Sequence, residues 1–138
     1  MATVETSIQT ALFARTASLV LSPVHPVAWP NITFAPPPDK RYLRVTQMPN
    51  TTDRLFISDT APHRHQGILQ IMVCGPLSSG ESAVRELAGI VANHFPPSLR
   101  LTSGGCSVRI TKRASIASAL VTETEIQIPV SIAYECFK

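Results

Sequence analysis

EIQIPVSIAYECF, residues 125–137, alternates a strongly apolar set of side chains with a mostly polar set along its whole length. Because successive side chains of a β-strand point to opposite faces, the pattern predicts one strand, and 13 residues would span roughly 40 Å. Pro129 has no backbone N–H, so we expect a sheet edge or a bulge there. A long edge in a small protein has to be covered, interrupted or used to join other chains, and the strand therefore predicts assembly. Its predicted apolar face consists of Ile126, Ile128, Val130, Ile132, Tyr134 and Cys136.

The 138 residues are enough for a single domain, residues 1–138, with its own hydrophobic core. Charged residues make up only 15% of the chain, against about 25% in typical soluble proteins. This low charge favours a surface that partly faces other protein; the alternative is a monomer rich in uncharged polar surface. No secretory signal is evident and no apolar run approaches the roughly 20 residues that cross a bilayer. We therefore expect no membrane partner and a reducing cytosol, or a particle assembled there.

Hydrophobic periodicity predicts two helices. The first is capped by Thr3 and must end by Ser22, because Pro23 and Pro26 follow. The second covers residues 81–95 and follows a capping-box spacing between Ser78 and Glu81. Their predicted buried residues are Val4, Ile8, Ala11, Leu12 and Leu19 in the first helix, and Val84, Leu87, Ala88, Val91 and Phe95 in the second.

Strands are predicted at residues 27–29, 41–48, 54–58, 66–74, 99–102 and 106–112, in addition to the final one. Residues 66–74 are apolar on nearly both faces, which is typical of a central strand. Residues 113–121 are predicted to be a flexible arm or the hinge of a long hairpin. The order of elements predicts an α+β fold: a two-layer sandwich of a largely antiparallel β-sheet with two α-helices packed on one face.

Basic residues give the chain a net charge of +3 and gather in two stretches. These stretches contain Lys40, Arg41, Arg44, Arg54 and Arg64, and then Arg100, Arg109, Lys112 and Arg113. A small nucleic-acid-binding module using the second stretch is one alternative. The chain lacks the aromatic platforms or helix motif that such a module usually adds, which favours solvated faces or salt bridges between subunits.

Catalytic and cofactor motifs are absent from the sequence. It contains no GxSxG elbow, no phosphate-binding loop and no CxxC pair. His63 and His65 could share a strand face, but no third metal ligand accompanies them. Glu123 and Glu125 are expected on the solvated polar face of the last strand. We therefore predict neither an enzyme nor a bound metal or cofactor.

Several segments in order resemble the tail-terminator-like proteins of long-tailed bacteriophages. They are VETSIQTALFAR (4–15), PVAWPN (26–31), YLRV (42–45), RLFI (54–57), RHQGILQ (64–70), HFP (94–96) and QIPV (127–130). The resemblance covers nearly the whole chain, and each segment is a packing signature rather than a chemical motif.

This resemblance implies a virion structural protein that forms a homohexameric ring. The ring would cap the head-proximal end of the tail tube, stop its polymerisation and join it to the head-tail connector and neck proteins. Genomic DNA would pass through the lumen without sequence-specific binding, and assembly would take place in the host cytoplasm. Another phage neck component, such as a head-completion or connector protein, is the alternative of the same size and symmetry.

In a cyclic ring each contact joins two different patches of the chain. We predict that residues 41–58, with the turn at residues 50–53, form one patch whose arginines bind acids of the next subunit. The candidate interface residues are Arg44, Arg54, Arg64, Glu123, Glu125 and Glu135.

Overall fold

The computed structural model describes residues 3–21 and 24–138, so Ser22 and Pro23, where the first helix was predicted to end, lie outside the described residues. Two helices and nine strands form within these ranges. The helices are α1 (Val4–Ala17) and α2 (Ser82–His94). The strands are β1 (Val27–Ala28), β2 (Tyr42–Pro49), β3 (Asp53–Arg54), β4 (His63–Gly75), β5 (Arg100–Ser103), β6 (Cys106–Ile110), β7 (Ser115–Ile116), β8 (Leu120–Val121) and β9 (Ile126–Phe137).

One sheet contains all of these strands, in the order β1-β2-β4-β9-β6-β5, with β3 beside β4 and with β7 and β8 beside β9. Every pair is antiparallel except β1 and β2, which run parallel. The predicted α+β sandwich is therefore confirmed, with a sheet that is mixed rather than purely antiparallel. The prediction of a central position for β4 is also confirmed, because β2 and β9 flank it.

The long strand β9 is real, but the expectation that it lies at an edge is wrong. It pairs with β4 from Phe137 to Ile126 on one side, and with β6, β7 and β8 on the other. The Pro129 carbonyl accepts a hydrogen bond from the Ala117 N–H (3.0 Å) on the second side. In an antiparallel ladder the N and the O of one residue point the same way, so the missing N–H faces the gap between β7 and β8. Pro129 is accommodated inside the sheet because the gap between β7 and β8 leaves no partner in the described chain that would need its N–H.

Both helices lie on the apolar face of the sheet. The Thr3 hydroxyl accepts a hydrogen bond from the Thr6 N–H (3.3 Å), as predicted for an N-cap. The predicted capping box of α2 is wrong, because Glu81 forms no side-chain cap bond and its carboxylate instead accepts from Arg85 Nε (2.9 Å). The core between the layers includes Ile8, Leu12, Leu69, Ile71, Val73, Val84, Ala88, Val91, Phe95, Ile128, Val130 and Ile132.

Gly67 allows two side chains to meet across the sheet. A Cβ at this position would lie 2.5 Å from the Tyr134 hydroxyl and 2.7 Å from the Met48 carbonyl. Because glycine has no Cβ, the Tyr134 hydroxyl can approach Gln47 and accept a hydrogen bond from the Gln47 side-chain amide (3.0 Å). Gly67 is therefore required by the close approach of Met48 and Tyr134 to β4. We call the antiparallel pair of β2 and β4 the β2–β4 hairpin.

Two segments differ from the predictions. Residues 54–58 do not form a strand: only Asp53 and Arg54 pair with β4, and the chain then leaves the sheet in an exposed loop. Residues 113–121 do not extend as an arm, because β7 and β8 dock on β9. The second difference has a simple cause, since the neighbouring side of β9 offers unpaired backbone groups that these residues satisfy.

Candidate interaction surface

The most unusual surface is the loop that joins β3 to β4, residues 55–62, which we call the hairpin tip. Leu55 is 45% exposed, Phe56 56% and Ile57 95%. Single exposed apolar residues are ordinary on protein surfaces, but three consecutive large ones at the end of a hairpin form a patch. Such patches are typical of interaction sites.

The Arg54 side chain holds the hairpin tip in shape. Its Nε donates to the Phe56 carbonyl (2.9 Å), and its Nη2 donates to the Ile57 carbonyl and to the Asp59 carboxylate (2.8 Å). These bonds satisfy backbone acceptors that a strand would have paired with a neighbour. They also turn residues 55–57 out of the sheet, which explains why the alternation there did not produce a strand.

A group of charged side chains braces the strands next to the hairpin tip. Arg64 contacts Asp53 (3.5 Å) and Glu135 (3.3 Å), and Glu135 also accepts from Arg109 (3.0 Å). The Glu135 side chain is 12% exposed, so screening by solvent is reduced at its carboxylate. The network connects β3, β4, β9 and β6, and it gives the exposed loop a rigid support.

A second apolar surface lies beside α1, and we call it the α1 groove. Phe13 and Trp29 form its floor, with ring centroids 5.2 Å apart. The groove has a volume of about 550 Å³, and its polar lining residues are Gln9 and Thr10. No described residue that lines it carries a charge. Its apolar lining consists of Phe13, Ala14, Ala17, Trp29, Pro30 and Ile32.

At the opposite end of the β2–β4 hairpin, a polar cluster is buried. The Tyr42 hydroxyl contacts both oxygens of the Glu125 carboxylate (2.9 and 2.7 Å), and the Gln127 amide donates to it (3.1 Å). Glu125 is only 6% exposed, so the expectation of a solvated carboxylate is wrong at this position. The alternation of residues 125–137 correctly placed Glu125 opposite the apolar set, but Tyr42 and Gln127 cover its carboxylate. These residues lie at the base of the β2–β4 hairpin, opposite the hairpin tip, and we therefore call them the buried base; the word refers to their position. They are Tyr42, Cys74, Glu125 and Gln127.

Burial and hydrogen bonding shift the pKa values of the three titratable side chains in the buried base, Cys74, Tyr42 and Glu125. Burial raises the pKa of the Cys74 thiol to about 12, with the Glu125 carboxylate adding to the shift. Burial and the bond to Glu125 likewise raise the pKa of Tyr42. Burial also tends to raise the pKa of Glu125, but hydrogen bonds from Gln127 and Tyr42 outweigh it and leave the pKa below its usual value. Glu125 is therefore an ionised, internally satisfied carboxylate at neutral pH.

The predicted interface residues fall in different surroundings. Arg64 and Glu135 meet within one chain, and Arg54 binds its own loop. Arg44 lies over the Tyr42 ring, 5.7 Å from its centroid. Contacts of these residues with another subunit stay a prediction. The six predicted residues are Arg44, Arg54, Arg64, Glu123, Glu125 and Glu135, of which Glu123 is exposed and Glu125 buried.

Charge-based reasoning missed the apolar surfaces. The available signal for the hairpin tip was the run Leu55-Phe56-Ile57 directly after the turn residues 50–53, where solvent exposure is common. The α1 groove had a weaker signal, because the sequence around Trp29 does not show whether this side chain is buried or exposed. In the structure the Trp29 side chain is half-buried, packs against the core and forms the floor of the α1 groove together with Phe13.

The described residues contain no group of three or more His, Cys, Asp or Glu side chains placed to hold a metal ion. Cys74, Cys106 and Cys136 are free and buried.

None of the helices in the described part of the chain is both long enough and apolar enough to span a membrane. Of the second basic stretch, Arg109 pairs with Glu135 and Arg113 donates to Asn93 (2.8 Å).

Fold and surface together define a small α+β protein with exposed apolar surfaces. A family model described as phage tail terminator protein matches residues 7–134. The chain therefore belongs to the phage tail terminator family, and it is a structural protein of a phage tail. The resemblance found in the sequence is confirmed.

Comparison with solved structures agrees at the level of the fold. One structure, titled only with a sequence identifier, is 28% identical with a TM-score of 0.79, and the match covers 98% of this chain and 96% of that one. A chain in a structure titled "Virion of native gene transfer agent (GTA) particle" is 11% identical with a TM-score of 0.65 over the full length of both. No functionally curated protein sequence matches significantly.

Proposed function

We propose that this protein is a tail terminator that forms a homohexameric ring at the head-proximal end of the tail tube. The ring stops tube polymerisation and presents a surface to the neck proteins, and genomic DNA passes through its lumen. The protein acts by association and transforms no substrate. The observation that carries the proposal is the family match over residues 7–134.

The surface supports association in physical terms. Each large apolar side chain that moves from water into an interface contributes roughly 1.5–3 kcal/mol before the costs of association. Leu55, Phe56 and Ile57 are already displayed together in the single chain. Repeated around a ring, a contact that is weak for one pair of subunits is reinforced, because closure makes every subunit bind two neighbours.

The test begins with the mass of the purified protein. Multi-angle light scattering should give the mass of six chains, each of 14.9 kDa. The protein is then mixed with polymerising tail tubes, and tube length is followed by electron microscopy. We expect elongation to stop at one end.

A ring that binds filled, tailless heads and ignores isolated tails would favour a head-completion or connector protein instead. A monomer that leaves tube length unchanged at high concentration would contradict the proposal altogether. Salt-dependent DNA binding by such a monomer would instead favour the nucleic-acid-binding alternative.

A further inference from the structure

We propose that the hairpin tip of one copy inserts into the α1 groove of the next copy, and that this contact is the repeating interface of the ring. The inference rests on the proposed ring and names the two surfaces that build it. The occupant of the α1 groove is therefore a second copy of this chain. Three observations support the assignment, and the proposed contact has the symmetry that a ring requires.

The hairpin tip has its own hydrogen bonds within the single chain. Arg54 binds the carbonyls of Phe56 and Ile57 and the carboxylate of Asp59 within one chain. Thr60 adds a hydrogen bond between its hydroxyl and that of Ser58 (3.0 Å). A loop that is already held in its binding conformation loses less conformational entropy on association. The apolar side chains are thus presented at low entropic cost.

The α1 groove matches the tip in polarity and size. Its lining carries no charge among the described residues, and the one charged residue of the tip, Asp59, is paired with Arg54. Its volume of about 550 Å³ is large enough for several apolar side chains. The recess beside Lys112 has a similar volume of about 540 Å³, but its lining includes the charged Arg64 and Lys112. The recess beside Val24 is mainly apolar but holds only about 240 Å³, and the one beside Leu77 holds about 230 Å³. Polarity and volume both favour the α1 groove.

In the single chain the tip does not occupy the groove, because Ile57 is 95% exposed and none of the described residues 55–62 lines the groove. The tip leaves the sheet where Arg54 pairs with His63, whereas β1, which leads to Trp29, pairs with Arg44 opposite Met72. His63 and Met72 are nine positions apart along β4, which is roughly 30 Å, and the groove extends from the Trp29 end along α1 to Gln9. A second copy is the occupant that we assign to this groove.

The two surfaces are different, so their contact is heterologous. A heterologous contact repeated with a constant rotation produces a closed ring or an open filament, whereas a contact between two identical patches produces a dimer.

Cross-linking tests the assignment directly. The variant Ile57→Cys/Ala14→Cys places one thiol on the tip and one in the groove. The native cysteines are at most 1% exposed, so they should not react in the folded protein. With a short bifunctional maleimide we expect a ladder of linked chains up to the full ring. The matched control is Ile57→Cys/Glu86→Cys, which carries its second thiol on the exposed side of α2 and should form no ladder.

A mass measurement gives an independent test. Ile57→Asp places a charge on a side chain that is 95% exposed in the single chain, so the thermal unfolding of the monomer should not change. In the ring the same charge would enter an apolar groove, and we expect the ring to dissociate to monomers.

Each other outcome overturns the inference. A ring of unchanged mass for Ile57→Asp that no longer stops tubes would assign the tip to the tube protein. Dimers alone from the single variant Ile57→Cys would show two tips in contact. An intact ring of the Ile57→Cys/Ala14→Cys variant whose two introduced thiols fail to link would reject this interface and leave the proposed function intact. A wild-type monomer that fails to stop tubes would reject both.

Discussion

The two ends of the β2–β4 hairpin treat polar and apolar side chains in opposite ways. At the buried base, the Glu125 carboxylate is enclosed by protein and accepts hydrogen bonds from Tyr42 and Gln127. At the hairpin tip, Phe56 and Ile57 stand in solvent around a polar centre. The β2–β4 pair therefore covers a buried charge at one end, through Tyr42, and leads into exposed apolar surface at the other.

This contrast shows that internal partners, rather than residue type alone, decide which side chains are buried. A carboxylate can be buried when its acceptor sites are satisfied, and apolar groups stay outside when Arg54 satisfies the backbone that carries them. The base should therefore determine stability, and the tip should determine association. The following predictions test this separation.

The largest difference is expected between two aromatic residues. Tyr42 is 2% exposed and lies 5.2 Å from the Phe34 ring, so Tyr42→Ala should lower the free energy of unfolding by about 3–5 kcal/mol. Phe56→Ala at the tip should change it by less than about 0.5 kcal/mol while weakening the ring. Urea denaturation of both variants, measured on monomers, provides the comparison. Equal losses of stability would end the distinction between the two ends.

A smaller difference is expected between two carboxylates. Glu125→Gln keeps the shape of the side chain but loses the charge that accepts from Tyr42, and it should cost about 1–3 kcal/mol at neutral pH. Asp59→Asn, whose side chain is 90% exposed, should cost less than about 0.5 kcal/mol. Thermal or chemical denaturation at pH 7 separates them.

The same carboxylate predicts a dependence on pH. Because the folded-state pKa of Glu125 is lowered, its contribution is complete above the usual glutamate pKa of about 4.3 and is lost as the pH falls through the folded-state value. Unfolding curves measured from neutral to acidic pH should therefore be less pH-dependent for Glu125→Gln than for the wild type. A parallel pair of profiles would mean that Glu125 has the same pKa in the folded and unfolded chains.

The smallest effect on stability is expected at Arg54. Arg54→Glu should leave the unfolding of the monomer nearly unchanged, because the bonds of the guanidinium are exposed. It should weaken the ring, since the tip loses its support. If Arg54 acts within its own loop, Asp59→Asn should weaken the ring in the same direction. If Arg54 instead binds an acid of the next subunit, Asp59→Asn should leave ring mass unaffected, as native mass spectrometry can show.

Local patterns were sufficient for the helices and for the faces of the long strands. The alternation in residues 125–137 correctly placed Ile128, Val130 and Ile132 in the core. The same alternation could not show that β9 lies inside the sheet, because its neighbours come from residues 63–75 and 106–121. Strand pairing joins distant parts of the chain, so its free energy depends on residues that no single sequence window contains.

The interaction surface was only partly accessible to sequence reasoning. Residues 41–58 were chosen as a contact patch, and the hairpin tip begins within that range. The emphasis on charges was the weaker part, because Arg64 and Glu135 satisfy each other in one chain and Glu125 is buried. A charged residue with an internal partner looks the same in the sequence as one that is free for a neighbour.

Composition and periodicity determined that this is a small α+β protein without a recognisable catalytic motif, and the resemblance of several segments indicated the phage tail terminator family, which the family match confirms. Tertiary structure alone decided that Glu125 is buried, that β9 is internal and that Leu55, Phe56 and Ile57 are displayed. The physical reason is that burial depends on which distant groups supply hydrogen bonds and cover, and those groups come together only when the sheet has formed.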